Sequence, residues 1–312
     1  MTQKTVYVTL SEFCQHDDRP RRLLKDAGFQ VLENTTGRRL KAEELYDCLK
    51  DVDGVVAAVE PYSADLLARL SRLKCISRCG IGTDAIDLMA AQKHGIAVLK
   101  TGDEIVAPVA QMTIGMIFAL ARNFIPHKCD FLEGAWKKHT GFLLSEWTIG
   151  LVGFGRIGQA VERYLRVFGP KIIVHDPYLQ PDILPQGVEN CGLETLLARS
   201  DLVSIHATRS SKEGYLLGRK ELMKMKKGSF LVNTARGYLI DEEALQEVLT
   251  TTHLKGAALD VFSNEPYHGA LTRLPNVLAT PHTATLTRAS RIAMELKAVQ
   301  NLVTYFKNGN SR

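Results

Sequence analysis

Thr148-Ile149-Gly150-Leu151-Val152-Gly153-Phe154-Gly155-Arg156-Ile157-Gly158 is the stretch that decides the architecture of this 312-residue chain. The apolar run from Thr148 to Val152 ends in glycines spaced G-x-G-x-x-G, and a helix can open near Arg156. A strand that turns sharply into a helix leaves the first N–H groups of that helix facing one point, which favours an anion. Gly153 permits the turn, Gly155 lets a pyrophosphate approach the backbone, and Gly158 lets helix and strand pack closely. Alone the spacing is weak, because glycine-rich loops produce it by chance. Here a second apolar run, Lys171 to His175, ends at Asp176, near the ~20-residue offset of an acid that binds a ribose. The pattern predicts a bound dinucleotide. Asp176 favours NAD: a carboxylate accepts the ribose hydroxyls and repels the extra phosphate of NADP, and Pro177 and Tyr178 offer no arginine for it.

Outward from this motif, short apolar runs alternate with amphipathic stretches, the pattern of βα units on parallel sheets. Candidate strands before it are Thr5–Leu10, Gln30–Glu33, Gly54–Val59, Cys75–Arg78 and Ile96–Leu99, with helices at Lys41–Leu49 and Ser63–Leu70. Those from the motif onward are Thr148–Val152, Lys171–His175, Leu202–His206, Phe230–Asn233, Ala257–Asp260 and Asn276–Ala279. The motif therefore lies mid-chain, behind a complete smaller α/β domain. Thr285 to Phe306 reads as a long helix with Ile292, Leu296, Val299, Leu302 and Val303 at helical spacing, free to return to the first domain. The expected fold is α/β with two doubly wound parallel-sheet domains. An NAD-binding Rossmann domain, 102–284, is inserted into a flavodoxin-like substrate domain made of 1–101 and 285–312.

Composition narrows the function. With 45% apolar and 23% charged residues the chain reads as a soluble globular enzyme. A net charge of +5 is spread along it, and the clusters Arg19-Pro20-Arg21-Arg22 and Lys224-Met225-Lys226-Lys227 are too short for a nucleic-acid arm. Six cysteines, Cys14, Cys48, Cys75, Cys79, Cys129 and Cys191, form no CxxC pair. They read as reduced structural thiols of a cytoplasmic protein, with Cys75 and Cys79 in a buried strand region. No signal peptide and no 18-residue apolar span is expected, and Ile105 to Leu120 reads as a core helix. Neither a nucleic acid, a membrane nor a metal is expected as partner.

Three polar residues follow predicted strands beyond the motif: Arg236 after Phe230–Asn233, Glu265 after Ala258-Leu259-Asp260-Val261-Phe262, and His282 after Leu278-Ala279-Thr280-Pro281. Ligands of an open parallel sheet collect outside the carboxyl ends of its strands, so the three can share one cleft. Arginine holds a carboxylate in two parallel bonds and polarises a neighbouring carbonyl. Histidine exchanges a proton near neutral pH, and a carboxylate beside it orients the ring and favours its protonated form. These types suit reduction of a carbonyl by a nicotinamide.

Read with their neighbours, these residues resemble the D-isomer-specific 2-hydroxyacid dehydrogenases. The resemblance rests on Arg78-Cys79-Gly80-Ile81-Gly82-Thr83-Asp84 with Ile86-Asp87, the glycine motif, Val232-Asn233-Thr234-Ala235-Arg236-Gly237, Ala258-Leu259-Asp260-Val261-Phe262 with Glu265-Pro266, and Thr280-Pro281-His282-Thr283-Ala284. These landmarks cover nearly the whole chain in family order. The resemblance implies a homodimer of two-domain subunits closing over NAD and a small 2-oxo or 2-hydroxy acid, with Arg236, Glu265 and His282 as catalytic triad. It implies cofactor contacts at Thr101, Gly153, Gly155, Arg156, Ile157, Gly158, Asp176, Ala207, Thr234 and Asp260, the last facing the nicotinamide amide. It also implies that Gly80 and Ile81 bind the substrate carboxylate through backbone N–H groups.

The first half is most similar to phosphoglycerate dehydrogenases, through Glu60-Pro61 and Ser77-Arg78-Cys79-Gly80-Ile81-Gly82. There Arg78 matches a position that reaches a substrate phosphate, and Lys137 and Lys138 fall in a basic region. Additional C-terminal regulatory domains are not expected. The chain departs from the family in having Ala207-Thr208-Arg209 for Pro-Leu-Thr and Gln111 for a common Glu. Glu265 stands where formate-oxidising relatives carry Gln, which disfavours formate. Phosphite oxidation on the same triad and a NADH-sensing corepressor role are the alternatives.

Overall fold

The computed structural model of the chain describes residues 3–180, 183–208 and 213–309. The chain forms two compact units, Met1–Ile105 with Leu286–Arg312, and Val106–Thr285. The first crossing falls at Ile105, beyond Thr101, because Ile105 is buried and the short turn Asp103–Ile105 packs on the C-terminal helix.

In the first unit the elements run β1 (Thr5–Val8), α1 (Arg19–Asp26), β2 (Gln30–Glu33), α2 (Ala42–Leu49), β3 (Gly54–Ala57), α3 (Ala64–Arg69), β4 (Cys75–Arg78), α4 (Leu88–Lys93) and β5 (Ala97–Lys100). Their sheet has the order β2-β1-β3-β4-β5 and is parallel throughout. That is the flavodoxin-like order. All of β3 is buried, as expected of a strand covered on both faces.

The second unit opens with α5 (Val106–Ala121) and α6 (Phe124–Leu132). There follow β6 (Thr148–Val152), α7 (Arg156–Leu165), β7 (Lys171–His175), β8 (Glu189–Asn190), α8 (Leu193–Arg199), β9 (Leu202–Ile205), α9 (Arg219–Lys224), β10 (Phe230–Asn233), α10 (Glu242–Thr250), β11 (Gly256–Leu259) and β12 (Val277–Ala279). The order β12-β11-β10-β9-β6-β7-β8 reverses direction beside β6. It is the doubly wound arrangement extended by one strand, and it puts the glycine turn at the switch point where dinucleotides bind. Helix α11 (Arg288–Lys307) then lies on the first unit's sheet, where the Ser77 hydroxyl donates to the Ala298 carbonyl at 2.6 Å.

One expectation needs correction. Asp103–Ala121, with a mean hydropathy of 1.7, is by length and composition apolar enough to cross a bilayer. Half of it is buried inside the protein, and Val109, Ala110, Met116, Ile117 and Leu120 of α5 join the core against α7, β10 and β11. The high hydropathy comes from a helix enclosed by its own unit.

Candidate active site

The glycine turn is shaped as its three positions require. Gly153 has φ +93°, and a Cβ there would stand 2.6 Å from the Ala207 nitrogen and the His206 carbonyl carbon. Ala207 therefore lies directly against the turn. A Cβ on Gly158 would overlap the Gly153 carbonyl oxygen, so this glycine sets the approach of α7 to β6. Gly155 is different: it is exposed, and among the described residues nothing lies within 4 Å of where its Cβ would be. A side chain there would project into open space before the first turn of α7, which Arg156 and Ile157 begin. The space left there suits a pyrophosphate. Asp176 closes its far side: Oδ2 accepts the Phe154 N–H at 2.8 Å and Oδ1 the Tyr178 N–H at 2.9 Å. Each oxygen retains lone-pair capacity for a ribose hydroxyl. These residues fit NAD. Arg209, part of the family departure after His206, lies outside the described residues.

Arg236, Glu265 and His282 sit in the loops after β10, β11 and β12, which are consecutive neighbours in the sheet. His282 Nδ1 is 2.8 Å from Glu265 Oε2, and Glu265 Oε1 accepts the Phe262 N–H at 3.0 Å. Burial of Glu265 opposes its ionisation. The His282 hydrogen bond, the Phe262 N–H and the charges of His282 and Arg236 outweigh this and hold the carboxyl below its usual range. With Glu265 ionised, Nδ1 carries a proton and Nε2 is the nitrogen left to exchange one with a ligand. Both side chains are partly exposed, 47% for His282 and 35% for Glu265, so a ligand can reach the pair.

The loops themselves are braced by residues to which the sequence alone assigns no such role. Asn233 donates from Nδ2 to the Arg236 carbonyl at 2.9 Å and accepts the Ala235 N–H at 3.0 Å, closing the turn that presents Arg236. An Asn at the last position of a buried strand is the signal that marks such a turn. The guanidinium of Arg236 donates to the Ala235 carbonyl at 2.7 Å. The Thr234 hydroxyl meets that of Thr113 in α5 at 2.9 Å. Asp260, fully buried, holds the His282 loop: Oδ1 accepts the Thr280 hydroxyl at 2.6 Å and the Thr283 N–H at 2.8 Å, and Oδ2 the Ala284 N–H at 3.0 Å. These bonds anchor the loop that carries His282. The His282 N–H also donates to the Asp260 carbonyl at 2.8 Å, and His282 takes φ +55°. A left-handed histidine persists only where its surroundings impose it.

In the first unit, the Arg78 carbonyl accepts both the Gly80 N–H at 3.0 Å and the Thr101 N–H at 3.2 Å. One of the two N–H groups expected to hold a substrate carboxylate is thus engaged internally. Among the described residues no backbone bond takes the Ile81 N–H. The Arg78 guanidinium lies over Gly80, whose φ is +148°, and donates to the Cys79 carbonyl. Thr101 is fully buried, and among the described residues its hydroxyl has no hydrogen-bond partner.

The sequence profile described as D-isomer specific 2-hydroxyacid dehydrogenase, NAD binding domain, matches residues 114–284. The chain belongs to this family. It is 37% identical over 274 residues to a hydroxypyruvate reductase of Thermotoga maritima, covering 86% of this chain and 89% of that protein. It is also 37% identical over 278 residues to a D-3-phosphoglycerate dehydrogenase of Methanocaldococcus jannaschii, covering 87% of this chain and 52% of that protein. The chain thus spans about half the length of that relative. A glyoxylate reductase structure from Paecilomyes thermophila superposes with a TM-score of 0.89 at 28% identity, over 99% of this chain and 97% of that one. The protein is accordingly an NAD-dependent oxidoreductase acting on a CH–OH group.

Proposed function

We propose that this dehydrogenase reduces a small 2-oxo acid to the D-2-hydroxy acid, and reverses the reaction, through Arg236, His282 and Glu265. The observation that carries the assignment is the 2.8 Å bond between His282 and Glu265 at the ends of neighbouring strands. NADH, when bound, supplies the hydride. Arg236 holds the substrate carboxylate and polarises the carbonyl. His282 donates its Nε2 proton to the carbonyl oxygen as that oxygen gains charge, and Glu265 keeps the ring in place through its bond to Nδ1. In the oxidative direction the neutral ring takes the proton back.

Arg78 and the Ile81 N–H bind the substrate's anionic groups, with Gly80 shaping the loop. A fixed guanidinium over that loop suits an anionic substrate and is in keeping with phosphoglycerate dehydrogenase-like members. The test is a panel of 2-oxo acids, phosphorylated ones included, followed by NADH consumption in wild type and His282→Ala. Rapid NADH consumption with one member and none in the variant supports the roles; equal rates in both overturn them.

The exposed apolar side chains Phe124, Phe131 and Leu132 of α6, with Trp136 beyond it, support assembly as a homodimer through this face. Sedimentation of wild type and Phe131→Glu reads that out. Six free cysteines support a reducing, cytoplasmic setting.

A further inference from the structure

We infer that Glu242, an acid outside the triad, is a positioning residue for the Glu265–His282 pair; this rests on the reading of that pair given above. Glu242 opens α10, directly after the N-cap Asp241. An acid in a first helical turn is ordinarily explained by the helix dipole, and for the exposed Glu243 beside it that suffices. Glu242 does something more specific. Its Oε1 accepts the Ser263 N–H at 2.6 Å. The preceding N–H, that of Phe262, donates to Glu265 Oε1.

Two consecutive N–H groups of one turn are therefore held by two carboxylates, one of them a member of the triad. The same turn is confined on other sides. The Phe262 ring stacks on Tyr267 with centroids 4.1 Å apart, and the backbone of Gly237 lies against the Phe262 carbonyl. With both N–H groups taken, the two consecutive peptides on either side of Phe262 are fixed in orientation. Glu265 then keeps one oxygen on the backbone and turns the other to His282. Without Glu242 the Ser263 N–H faces solvent, the peptide can rotate, and Glu265 loses its fixed aim. In this account Glu242 touches neither substrate nor NADH and acts through Glu265.

Two variants separate this from a helix-dipole role. Glu242→Asp keeps the charge at the helix start but shortens the reach; Glu242→Gln keeps the reach and an acceptor oxygen but loses the charge. With NADH and whichever of glyoxylate or hydroxypyruvate is reduced, kcat of Glu242→Asp should fall about tenfold, as a small misplacement predicts. The alkaline limb of its pH–rate profile should move in the same direction as in Glu265→Gln, with KM for NADH within about twofold of wild type. Glu242→Gln should retain at least about half of kcat. In the double variant Glu242→Asp/Glu265→Gln the loss should not exceed that of Glu265→Gln alone, the signature of residues acting in series. Wild-type kinetics in Glu242→Asp, loss in Glu242→Gln alone, or full additivity in the double variant would each overturn the inference. If Glu265→Gln itself leaves the profile unmoved, the reading of the pair fails; if it moves the profile and Glu242→Asp does not, only the role of Glu242 fails.

Discussion

Gly237 and Phe262 lie backbone to backbone: a Cβ on Gly237 would overlap the Phe262 carbonyl carbon. This contact sets the spacing between the loop that presents Arg236 and the loop that presents Glu265. Gly237→Ala must push the two apart, because the obstruction is main chain and cannot rotate away. The expected cost is that of overpacking, about 1–3 kcal/mol, or roughly 3–10 °C in the melting temperature of a domain this size. Turnover should fall by at least about 100-fold, since the displacement is comparable to 1 Å. Melting curves and initial rates check both.

His282→Ala should lower turnover by about 10²–10⁴-fold, the usual contribution of a positioned acid–base group. NADH affinity, followed by fluorescence titration, should stay within a few-fold of wild type. Glu265→Gln should behave differently. Glu265 titrates below the ordinary carboxylate range, so its charge and the bond to His282 are present above that range and lost only as pH falls through the lowered value. At working pH the wild-type ring always faces an anion. Replacing that anion with an amide removes the support for the protonated ring. The alkaline limb of the rate profile for reduction should therefore move to lower pH, and an unmoved limb would count against the pairing.

Gly155→Ala and Gly158→Ala should fail in opposite ways. At Gly155 the backbone is not left-handed and nothing is near, so a methyl group should leave the melting temperature within a few degrees. It would instead occupy the open cradle and weaken NADH binding by about tenfold or more, because phosphate and backbone need close approach. At Gly158 the methyl group would meet the Gly153 carbonyl oxygen, forcing α7 off β6. There the fold itself should lose about 1–3 kcal/mol. Calorimetry paired with NADH titration separates the two.

Strands were legible where burial made them so. β4, β6, β7 and β10 span the expected residues, since strands covered by helices on both faces read as largely continuous hydrophobic segments; β2 matches as well, although none of it is buried. β8 has no such signature, because Glu189 and Asn190 are both exposed. The placing of Arg236, Glu265 and His282 at strand ends was legible because a parallel sheet gathers those ends on one edge. What each group bonds to was not. The Gly80 N–H spent on the Arg78 carbonyl, and the Asp260 carboxylate turned to the loop 280–284, follow from backbone dihedrals that residue spacing does not encode. In sequence Glu242 is one more acid at a helix start, and its bond to the Ser263 N–H exists only in the fold.

His206 predicts how stability responds to acid. It follows β9, half-buried beside the glycine turn, with Nε2 2.9 Å from the Ser204 hydroxyl. Burial pushes its pKa down from 6.5 to about 4. Above pH 6.5 the ring is neutral folded or unfolded and pH has no leverage through it. Below 6.5 the unfolded chain binds a proton that the folded chain refuses, so stability declines until the folded ring titrates near 4. The full shift would be worth about 3 kcal/mol, and the ring's partial exposure reduces this to roughly 2 kcal/mol. His206→Gln removes the titration while keeping a side chain able to bond Ser204. Urea unfolding followed through the buried Trp147 should show wild type losing stability between pH 6.5 and 4 more steeply than the variant. Parallel curves across that interval would exclude His206 as the group responsible.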